Sequence, residues 1–303
     1  MESVTVFMST YNGDKYLREQ IDSILNQGKV KVYLYVRDDG SSDGTINILN
    51  EYQNKDQLIF CKGKNLGYGK SFLELFKFKI KDTNYYAFSD QDDVWEKDKL
   101  YQGISKLKLS KSVKGKLYFC NMKIVDSNLK GNKIKDFCKV KISLGSVLVR
   151  QRIAGCVMVF DNYLFQKAKQ TDFLNYKQHI SHEWVYLLCL AFGGDIIKDN
   201  NAYINYRRHE NTATSIGQGF KSRIKSELKQ FNVAKNDKYY LCQLIIKNYY
   251  DDIDPRNKNL LLLVSKYKKS LKARFLLLFS RKLNSGNFIL NARIKFFILL
   301  GIF

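Results

Sequence analysis

Short apolar runs alternate with amphipathic stretches in the first third of the chain. Runs rich in β-branched and aromatic residues predict strands at Val4–Met8, Val30–Val36, Leu58–Cys61 and Tyr85–Phe88. Between them, apolar residues recur at helical spacing and predict helices at Lys15–Asn26, Thr45–Tyr52 and Gly69–Lys79. Because strands and helices alternate, we expect an α/β fold with a doubly wound, mostly parallel sheet.

The pattern is less regular after residue 100. It predicts strands at Leu117–Val125, Ser146–Phe160 and Tyr203–Tyr206, and a helix at Trp184–Phe192. Residues 210–219 are polar and contain two glycines, so we interpret them as a flexible loop.

The last part of the chain is strongly basic. From Phe220 onward, Lys and Arg interleave with Leu, Phe and Ile, which is typical of basic amphipathic helices. Residues 221–303 hold 18 Lys/Arg against 5 Asp/Glu, so this region supplies +13 of the formal net charge of +22. We therefore divide the chain into an α/β domain, 1–219, with halves 1–100 and 101–219, and a basic helical extension, 220–303.

Three polar clusters follow directly on predicted strands, at Ser9–Asn12, Asp38–Asp43 and Asp90–Asp93. Ligands of open α/β sheets bind beyond the carboxyl ends of the strands. We therefore expect these clusters to meet at one edge of the sheet and to form the binding site.

The acidic cluster Asp90-Gln91-Asp92-Asp93 places three carboxylates within four residues. Their mutual repulsion is relieved by a hard divalent cation with oxygen ligands, such as Mg²⁺ or Mn²⁺. The alternative is a solvated acidic turn in which Asp92 or Asp93 caps the following helix. The residues of this cluster, taken alone, leave both interpretations open.

The cluster Asp38–Thr45 combines carboxylates with two glycines. A carboxylate at a strand end can accept hydrogen bonds from a ribose or a base, and Asp39 is assigned this role. The glycines supply unusual backbone angles, and Ser42 and Asp43 are assigned to building the turn and capping the next helix.

The charge of +22 indicates an anionic partner. Nucleic acid is the less favoured one, because no nucleic-acid-binding motif occurs and acidic clusters stand where a basic groove would be needed. The basic apolar extension favours the surface of an anionic membrane over simple packing on the α/β domain. No run of 18 apolar residues occurs, so no membrane-spanning helix is expected.

Four motifs in this order and spacing together carry a family resemblance. They are Phe7–Gly13, Asp38–Thr45, Asn65–Gly67 and Asp90–Asp93. The chain resembles the family 2 glycosyltransferases, which have the GT-A fold. The form Ser-Asp-Gln-Asp-Asp-Val-Trp, with Gly155, Cys156 and Glu183 downstream, is similar to the rhamnosyltransferase-type branch that builds bacterial surface polysaccharides.

The resemblance implies roles for individual residues of the nucleotide-sugar site. Thr10, Tyr11 and Asp39 match positions that bind the nucleoside. Asp90 and Asp92 match the two acids of the DxD motif: Asp90 faces the ribose or the metal, and Asp92 ligates the metal, Mg²⁺ or Mn²⁺.

Further roles follow for the second half of the domain. Glu183 falls where the family places its catalytic base; the branch usually has Asp there, so this chain has one additional methylene. Arg207 is expected to bind phosphate of the donor, and His209 to complete the metal shell. Trp184, Gly155 and Cys156 are assigned to the acceptor site. A core position for Trp184 and a helix-capping role for Glu183 are the structural alternatives.

These roles lead to one functional expectation. The enzyme moves a sugar, with rhamnose as the first candidate, from a nucleotide-diphosphate donor to a hydroxyl of a lipid-linked surface polysaccharide, with inversion. It is expected at the cytoplasmic face of the bacterial membrane as a peripheral protein. The alternatives are an inactive relative that only binds nucleotide sugars and, less favoured, a nucleic-acid-binding protein.

Overall fold

The computed structural model describes residues 1–150, 153–171, 183–208 and 237–303. Its strands are β1 Glu2–Thr10, β2 Val30–Asp38, β3 Leu58–Lys62, β4 Tyr85–Ser89, β5 Val94–Trp95, β6 Lys116–Val125, β7 Lys133–Lys135, β8 Met158–Asp161 and β9 Asp195–Arg207. Its helices are α1 Asp14–Leu25, α2 Thr45–Gln53, α3 Tyr68–Leu75, α4 Lys99–Leu109, α5 Leu144–Val149, α6 Asn162–Lys169, α7 Glu183–Phe192, α8 Asp237–Tyr249, α9 Pro255–Lys266, α10 Leu271–Leu278 and α11 Phe288–Leu300. A single 3₁₀ turn covers Gly155–Val157.

One sheet runs through the α/β part, in the order β3-β2-β1-β4-β8-β6-β9-β5, with β7 paired to β6. The first four strands in this order are parallel, as the alternating pattern predicted. Strand β8 pairs antiparallel with both β4 and β6, and β9 is parallel to β6. The expected doubly wound, mostly parallel α/β architecture is confirmed.

The register brings the predicted polar clusters to one edge. Thr10 at the end of β1 is opposite Asp38 at the end of β2, and Met8 is opposite Ser89 at the end of β4. The loops after these three strands therefore leave the sheet side by side, at the point where strand order changes direction.

Aromatic side chains pack tightly beneath this edge. Phe7 of β1 is fully buried and contacts Phe76 and Tyr86, while the rings of Tyr86 and Phe165 stack with centroids 4.0 Å apart. Offset aromatic contacts of this kind add to the free energy gained by burial. The strand ends that carry the polar loops thus rest on a rigid core.

The expected strand Ser146–Phe160 is wrong. This region forms helix α5 and a 3₁₀ turn, and only its end belongs to β8. All residues of α5 are buried, so its apolar run shows no alternation by which helix and strand could be told apart. The helix begins at Ser143, whose hydroxyl accepts a hydrogen bond from the Ser146 amide.

The basic extension forms helices in its described part, 237–303. Helix α9 buries Leu260, Leu261 and Val264, and it packs against α8, α10 and α7. The proposed boundary at 219/220 and the polar loop 210–219 lie outside the described residues. Among the described helices, none has both the length and the apolar character needed to cross a membrane.

Candidate active site

The loops after β1 and β2 are locked together by hydrogen bonds. The Asn12 amide donates to the Ser41 hydroxyl at 2.9 Å, and the Ser42 amide donates to the Asn12 side-chain oxygen at 2.9 Å. Asn12 has φ 46°, a left-handed conformation that asparagine tolerates. The Gly13 amide donates to the Thr45 hydroxyl at 2.9 Å. These hydrogen bonds therefore fix the two loops relative to each other.

Asp43 builds the turn before α2, as its sequence position indicated. Its carboxylate accepts hydrogen bonds from the Thr45 amide at 3.0 Å and from the Asp14 amide at 3.2 Å. Burial alone would raise the pKa of Asp43, but these hydrogen bonds outweigh it and lower that pKa below its ordinary value.

Asp39 is held as a rigid, buried acceptor. Its two oxygens accept hydrogen bonds from the Leu66 and Gly67 amides, each at 2.8 Å, and it forms an ion pair with Arg37. Arg37 is itself buried and donates to the Ser71 hydroxyl. The loop that follows β3 is thereby fixed against the end of β2, and Asp39 faces the cavity between them.

A cavity of about 530 Å³ opens at this edge of the sheet. Thr10, Tyr11, Asp39, Asp90, Asp92 and Gly155, all selected from the sequence, are among the residues that line it. The structure adds Ser9, Asn65, Gly67, Tyr68, Gln91, Ala154 and Tyr206 to its walls. The volume suits a ligand of nucleotide-sugar size.

Gln91 is a site residue that sequence reasoning missed. Its side-chain amide accepts from the Tyr11 amide at 2.8 Å and donates to the Tyr11 carbonyl at 3.1 Å, so it clasps that backbone from both sides. A Cβ at Gly13 would overlap the end of the Gln91 side chain, so a larger residue there would displace the Gln91 amide from the Tyr11 backbone. Only the spacing of the two motifs, not the residue type, could have indicated the clasp.

Asp90, Asp93 and Cys156 form a compact group of metal-ligand atoms, all within 4.8 Å of one another. Asp93 is fully buried; one of its oxygens accepts from the Arg207 amide at 3.1 Å, and the other has no hydrogen-bond partner among the described residues. Burial, and then the charges of Asp90 and Asp92, raise the pKa of Asp93 well above its usual range. A buried carboxylate with an unsatisfied oxygen fits a bound divalent cation.

Asp92 lies between two cavities. It lines the first, and it also lines a second cavity of about 760 Å³ together with Tyr11, Gln91, Lys15 and Arg208. Asp92 does not belong to the compact group formed by the described residues Asp90, Asp93 and Cys156. Its role as the metal ligand stays a prediction.

The expected phosphate contact of Arg207 does not fit its placement. The side chain is 1% exposed, and its guanidinium donates to the Asp92 carbonyl and pairs with Glu19 while stacking on the Tyr16 ring. Arg207 thus supports the acidic turn from its buried side, through the Asp92 carbonyl and the Asp93 carboxylate. Neighbouring residues on a strand point to opposite faces, and it is Arg208 that reaches the second cavity.

A buried lysine, also missed, lies behind the acidic turn. Lys99 is fully buried, with its ammonium over the Trp95 ring at 3.4 Å and without a hydrogen-bond partner among the described residues. Burial lowers the pKa of Lys99 to about 8, against the raising effect of Cys120, Cys156 and Asp93. Lysine is seldom fully buried, so nothing in the pattern of residues indicated burial at this position.

Four predicted site residues remain: Glu183, Trp184, Cys156 and His209. Glu183 begins α7, with its carboxylate 3.6 Å from the Lys238 ammonium, and its role as base stays a prediction. Trp184 is 1% exposed and donates to the Thr171 hydroxyl, so its expected contact with the acceptor gives way to a core position. Cys156 is buried beside Asp90 rather than open to an acceptor, and His209 lies outside the described residues.

The fold and this site define a class: α/β proteins with a parallel, doubly wound half and an acidic cavity at the carboxyl edge, suited to a nucleotide ligand. The family model described as "Glycosyl transferase family 2" matches residues 5–164. The chain belongs to this family and has its GT-A fold.

Individual relatives are similar over different lengths. The dTDP-rhamnosyl transferase RfbG of Shigella flexneri is 39% identical over 102 residues, covering 32% of this chain and 35% of RfbG. The chain thus matches about a third of that relative's length.

Two solved structures share the fold. TarS 1–349 of S. aureus in complex with UDP-GlcNAc aligns with a TM-score of 0.58 at 18% identity, covering 93% of this chain and 77% of TarS. The mannosyltransferase PcManGT of Pyrobaculum calidifontis, in complex with GDP-Man and Mn²⁺, aligns with a TM-score of 0.51 at 14% identity, covering 98% of this chain and 79% of PcManGT.

Proposed function

We propose that this protein transfers a sugar from a nucleotide-diphosphate donor to a hydroxyl of a growing, lipid-linked surface polysaccharide. The observation that carries the proposal is the cavity in which Asp39, Asp90 and Asp92 converge beyond the carboxyl ends of β2 and β4. Membership of glycosyl transferase family 2 supports the reaction class. The similarity to RfbG supports rhamnose as the first candidate for the sugar.

The donor half of the site would hold the nucleotide by fixed polar groups. Asp39, already anchored by the Leu66 and Gly67 amides, would accept from the ribose or the base without needing to reorganise. Tyr11, clasped by Gln91, would cover the nucleoside. Fixing these groups in advance reduces the entropic cost of binding.

Asp90 and Asp92, which line the cavity, together with the buried Asp93 beside Asp90, would hold the Mg²⁺ or Mn²⁺ that GT-A enzymes commonly use, and PcManGT was solved with Mn²⁺. When bound, such an ion would neutralise charge on the departing diphosphate. Arg208 and Lys15, which line the adjoining cavity, would add cationic side chains near the same diphosphate.

Inversion of the anomeric configuration follows from attack by the acceptor hydroxyl in a single displacement. Glu183 would take the proton from the acceptor hydroxyl, whose oxygen forms a bond to the anomeric carbon. The bond from that carbon to the diphosphate oxygen breaks, and the nucleoside diphosphate leaves on the opposite face. A single displacement of this kind uses no protein nucleophile and inverts the anomeric configuration.

A panel of nucleotide sugars would test the donor assignment. We expect dTDP-rhamnose with Mn²⁺ to raise the unfolding temperature more than UDP-GlcNAc, UDP-glucose or GDP-mannose. Ligand at about 100 times its Kd stabilises a protein by about 2.7 kcal/mol. Free rhamnose is the control. The proposal fails if no nucleotide sugar stabilises the full chain with or without metal.

A further inference from the structure

The final two helices, α10 and α11, expose an unusual number of apolar side chains. Nine large hydrophobic residues in 271–303 are exposed, among the nineteen exposed in all described residues. They are Leu271, Phe275, Leu276, Phe279, Phe288, Ile289, Phe296, Leu299 and Leu300. We call this set the apolar face. The other exposed apolar side chains are scattered, and isolated ones need no explanation.

Both helices carry apolar side chains on their outer side as well as on the side that faces the protein, and Lys272 and Lys295 lie among the exposed residues. On one side, Ala273 and Leu277 of α10 and Ile294 and Ile298 of α11 are buried against the protein. On the other side lies the apolar face, where Phe279 is 70% and Phe288 86% exposed. Apolar side chains left in water on the outer side cost free energy, so an apolar environment covering that side would stabilise the two helices.

The apolar face is a fixed part of the structure rather than a loose tail. A Cβ at Gly145 of α5 would overlap the Lys282 carbonyl, so the segment between α10 and α11 lies directly against α5. The Tyr267 hydroxyl donates to the Phe303 carbonyl at 2.7 Å and fastens the chain end to α9. The face is therefore held in a set orientation relative to the α/β domain.

The charge around this face identifies what covers it. Residues 255–303 contain 11 Lys/Arg and no Asp/Glu. Lys272 and Lys295 are exposed next to members of the apolar face, as are Arg281 and Lys282 between the two helices. Exposed aromatic and aliphatic side chains interspersed with cations are the pattern of a protein surface that enters the headgroup region of an anionic bilayer.

We propose that the apolar face of α10 and α11, with the exposed lysines and arginines beside it, docks this enzyme onto an anionic membrane. The inference rests on the proposed function, because a lipid-linked acceptor would be presented at that surface. It sharpens the expectation for the whole extension: α8 and α9 pack against the protein, and only α10 and α11 would enter the lipid. Exposed phenylalanines would insert between headgroups, while the cations would contact lipid phosphates.

Vesicle flotation of the full-length protein tests the proposal without any sugar transfer. We expect binding to vesicles of equal parts phosphatidylglycerol and phosphatidylcholine, and little binding to pure phosphatidylcholine. The triple variant Phe279→Ser, Phe288→Ser, Phe296→Ser should lose binding. The matched control is Leu109→Ser, Val113→Ser, Ile134→Ser, which removes exposed apolar residues elsewhere and should float like the wild type.

The contribution of charge is tested with the double variant Lys272→Gln, Lys295→Gln. Because each cation near an anionic surface contributes to binding, this variant should weaken partitioning into anionic vesicles by about 10-fold or more. Lys55→Gln with Lys111→Gln is its control. Equal flotation of the triple phenylalanine variant and the wild type would overturn the proposal. So would a concentration-dependent dimer without flotation that the triple variant abolishes, because a second copy would then cover the face.

Failure of the membrane proposal and failure of the proposed function give different results. A protein that binds nucleotide sugars but does not float would overturn only the docking surface. A protein that floats through the apolar face but binds no nucleotide sugar would retain the docking surface and contradict the transferase assignment.

Discussion

The loops after β2 and β4 both carry clustered aspartates, yet their carboxylates have different surroundings. After β2, the Ser41 amide donates to Asp38, the Leu66 and Gly67 amides to Asp39, and the Thr45 amide to Asp43. After β4, Asp93 is buried with one oxygen lacking a hydrogen-bond partner among the described residues. The carboxylates after β2 are thus satisfied by hydrogen bonds, whereas the carboxylate of Asp93 after β4 lacks a partner for one oxygen within the described ranges, and a cation would supply it.

This difference suggests a structural role for the hydrogen-bonded carboxylates and a cation-binding role for the acidic turn after β4. Carboxylates with several backbone donors are stabilised in their charged form and help to fix a fold. A buried carboxylate such as Asp93, with one oxygen lacking a hydrogen-bond partner in the described part of the chain, costs free energy when no cation is bound, and a bound cation would recover that cost. Replacing Asp43 should accordingly affect stability, whereas replacing Asp92 should affect transfer.

The largest effect is expected from Asp92→Asn. If Asp92 acts on the diphosphate as proposed, removing its charge should reduce transfer by about 100- to 1000-fold, the usual cost of losing one preorganised electrostatic group. The unfolding temperature should change little. Steady-state assays with saturating Mn²⁺ measure the rate, and Asp98→Asn, an exposed aspartate in the same region, is the control. A fully active Asp92→Asn enzyme in EDTA would rule out the metal assignment.

Glu183→Gln should separate donor binding from chemistry. General-base catalysis contributes about 100- to 10,000-fold, so transfer should fall within that range. Protection by the nucleotide sugar against unfolding should persist, because the donor cavity is untouched. Lys238→Met removes the 3.6 Å ion pair but keeps the carboxylate, and this control should remain active. Unchanged turnover in Glu183→Gln would exclude this residue as the base.

Gln91→Ala should moderately lower the affinity for the nucleotide-sugar donor. It removes both hydrogen bonds that hold the Tyr11 backbone. At about 1 kcal/mol for each, donor affinity should fall by about 10- to 30-fold. Isothermal titration with the nucleotide sugar measures this change, and Gln57→Ala is an exposed control. Wild-type affinity in Gln91→Ala would show that the clasp does not support binding.

The smallest effect is expected from Asp43→Asn, in the loop after β2, where backbone amides donate to the carboxylates. The pKa of Asp43 is lowered in the folded protein, so the charged carboxylate stabilises the fold above the pKa of the unfolded state, near 3.8. This contribution disappears as pH falls through the lower folded value. The variant should be less stable than the wild type by about 1 kcal/mol at pH 7. Denaturant unfolding should show that difference shrink as the pH falls below about 3.8 and vanish below the folded pKa; a difference independent of pH would contradict it.

The sequence predicted the sheet and the cavity better than the side chains that support them. Asp39, Asp90 and Gly155 follow or neighbour strand ends, and strand ends are recognisable from periodicity. Gln91 acts through its amide at a precise distance from Tyr11, which residue type alone does not reveal.

Residues at neighbouring or buried positions were harder to assign. Arg207 and Arg208 are adjacent on the chain, and only the strand register decides which of them is buried. Lys99 and Trp184 depend on packing between distant segments. The fully apolar helix α5 has no period to distinguish it from a strand.

The most direct test of the central claim is Mn²⁺ binding, followed by the electron paramagnetic resonance signal of the free ion. In the presence of a nucleotide diphosphate, we expect the wild-type protein to remove this signal. The Asp92→Asn variant should leave most of it, and Asp43→Asn should behave like the wild type. Equal Mn²⁺ binding by wild type and Asp92→Asn would contradict the account, because the acidic loop after β4 would then not be the metal–diphosphate site.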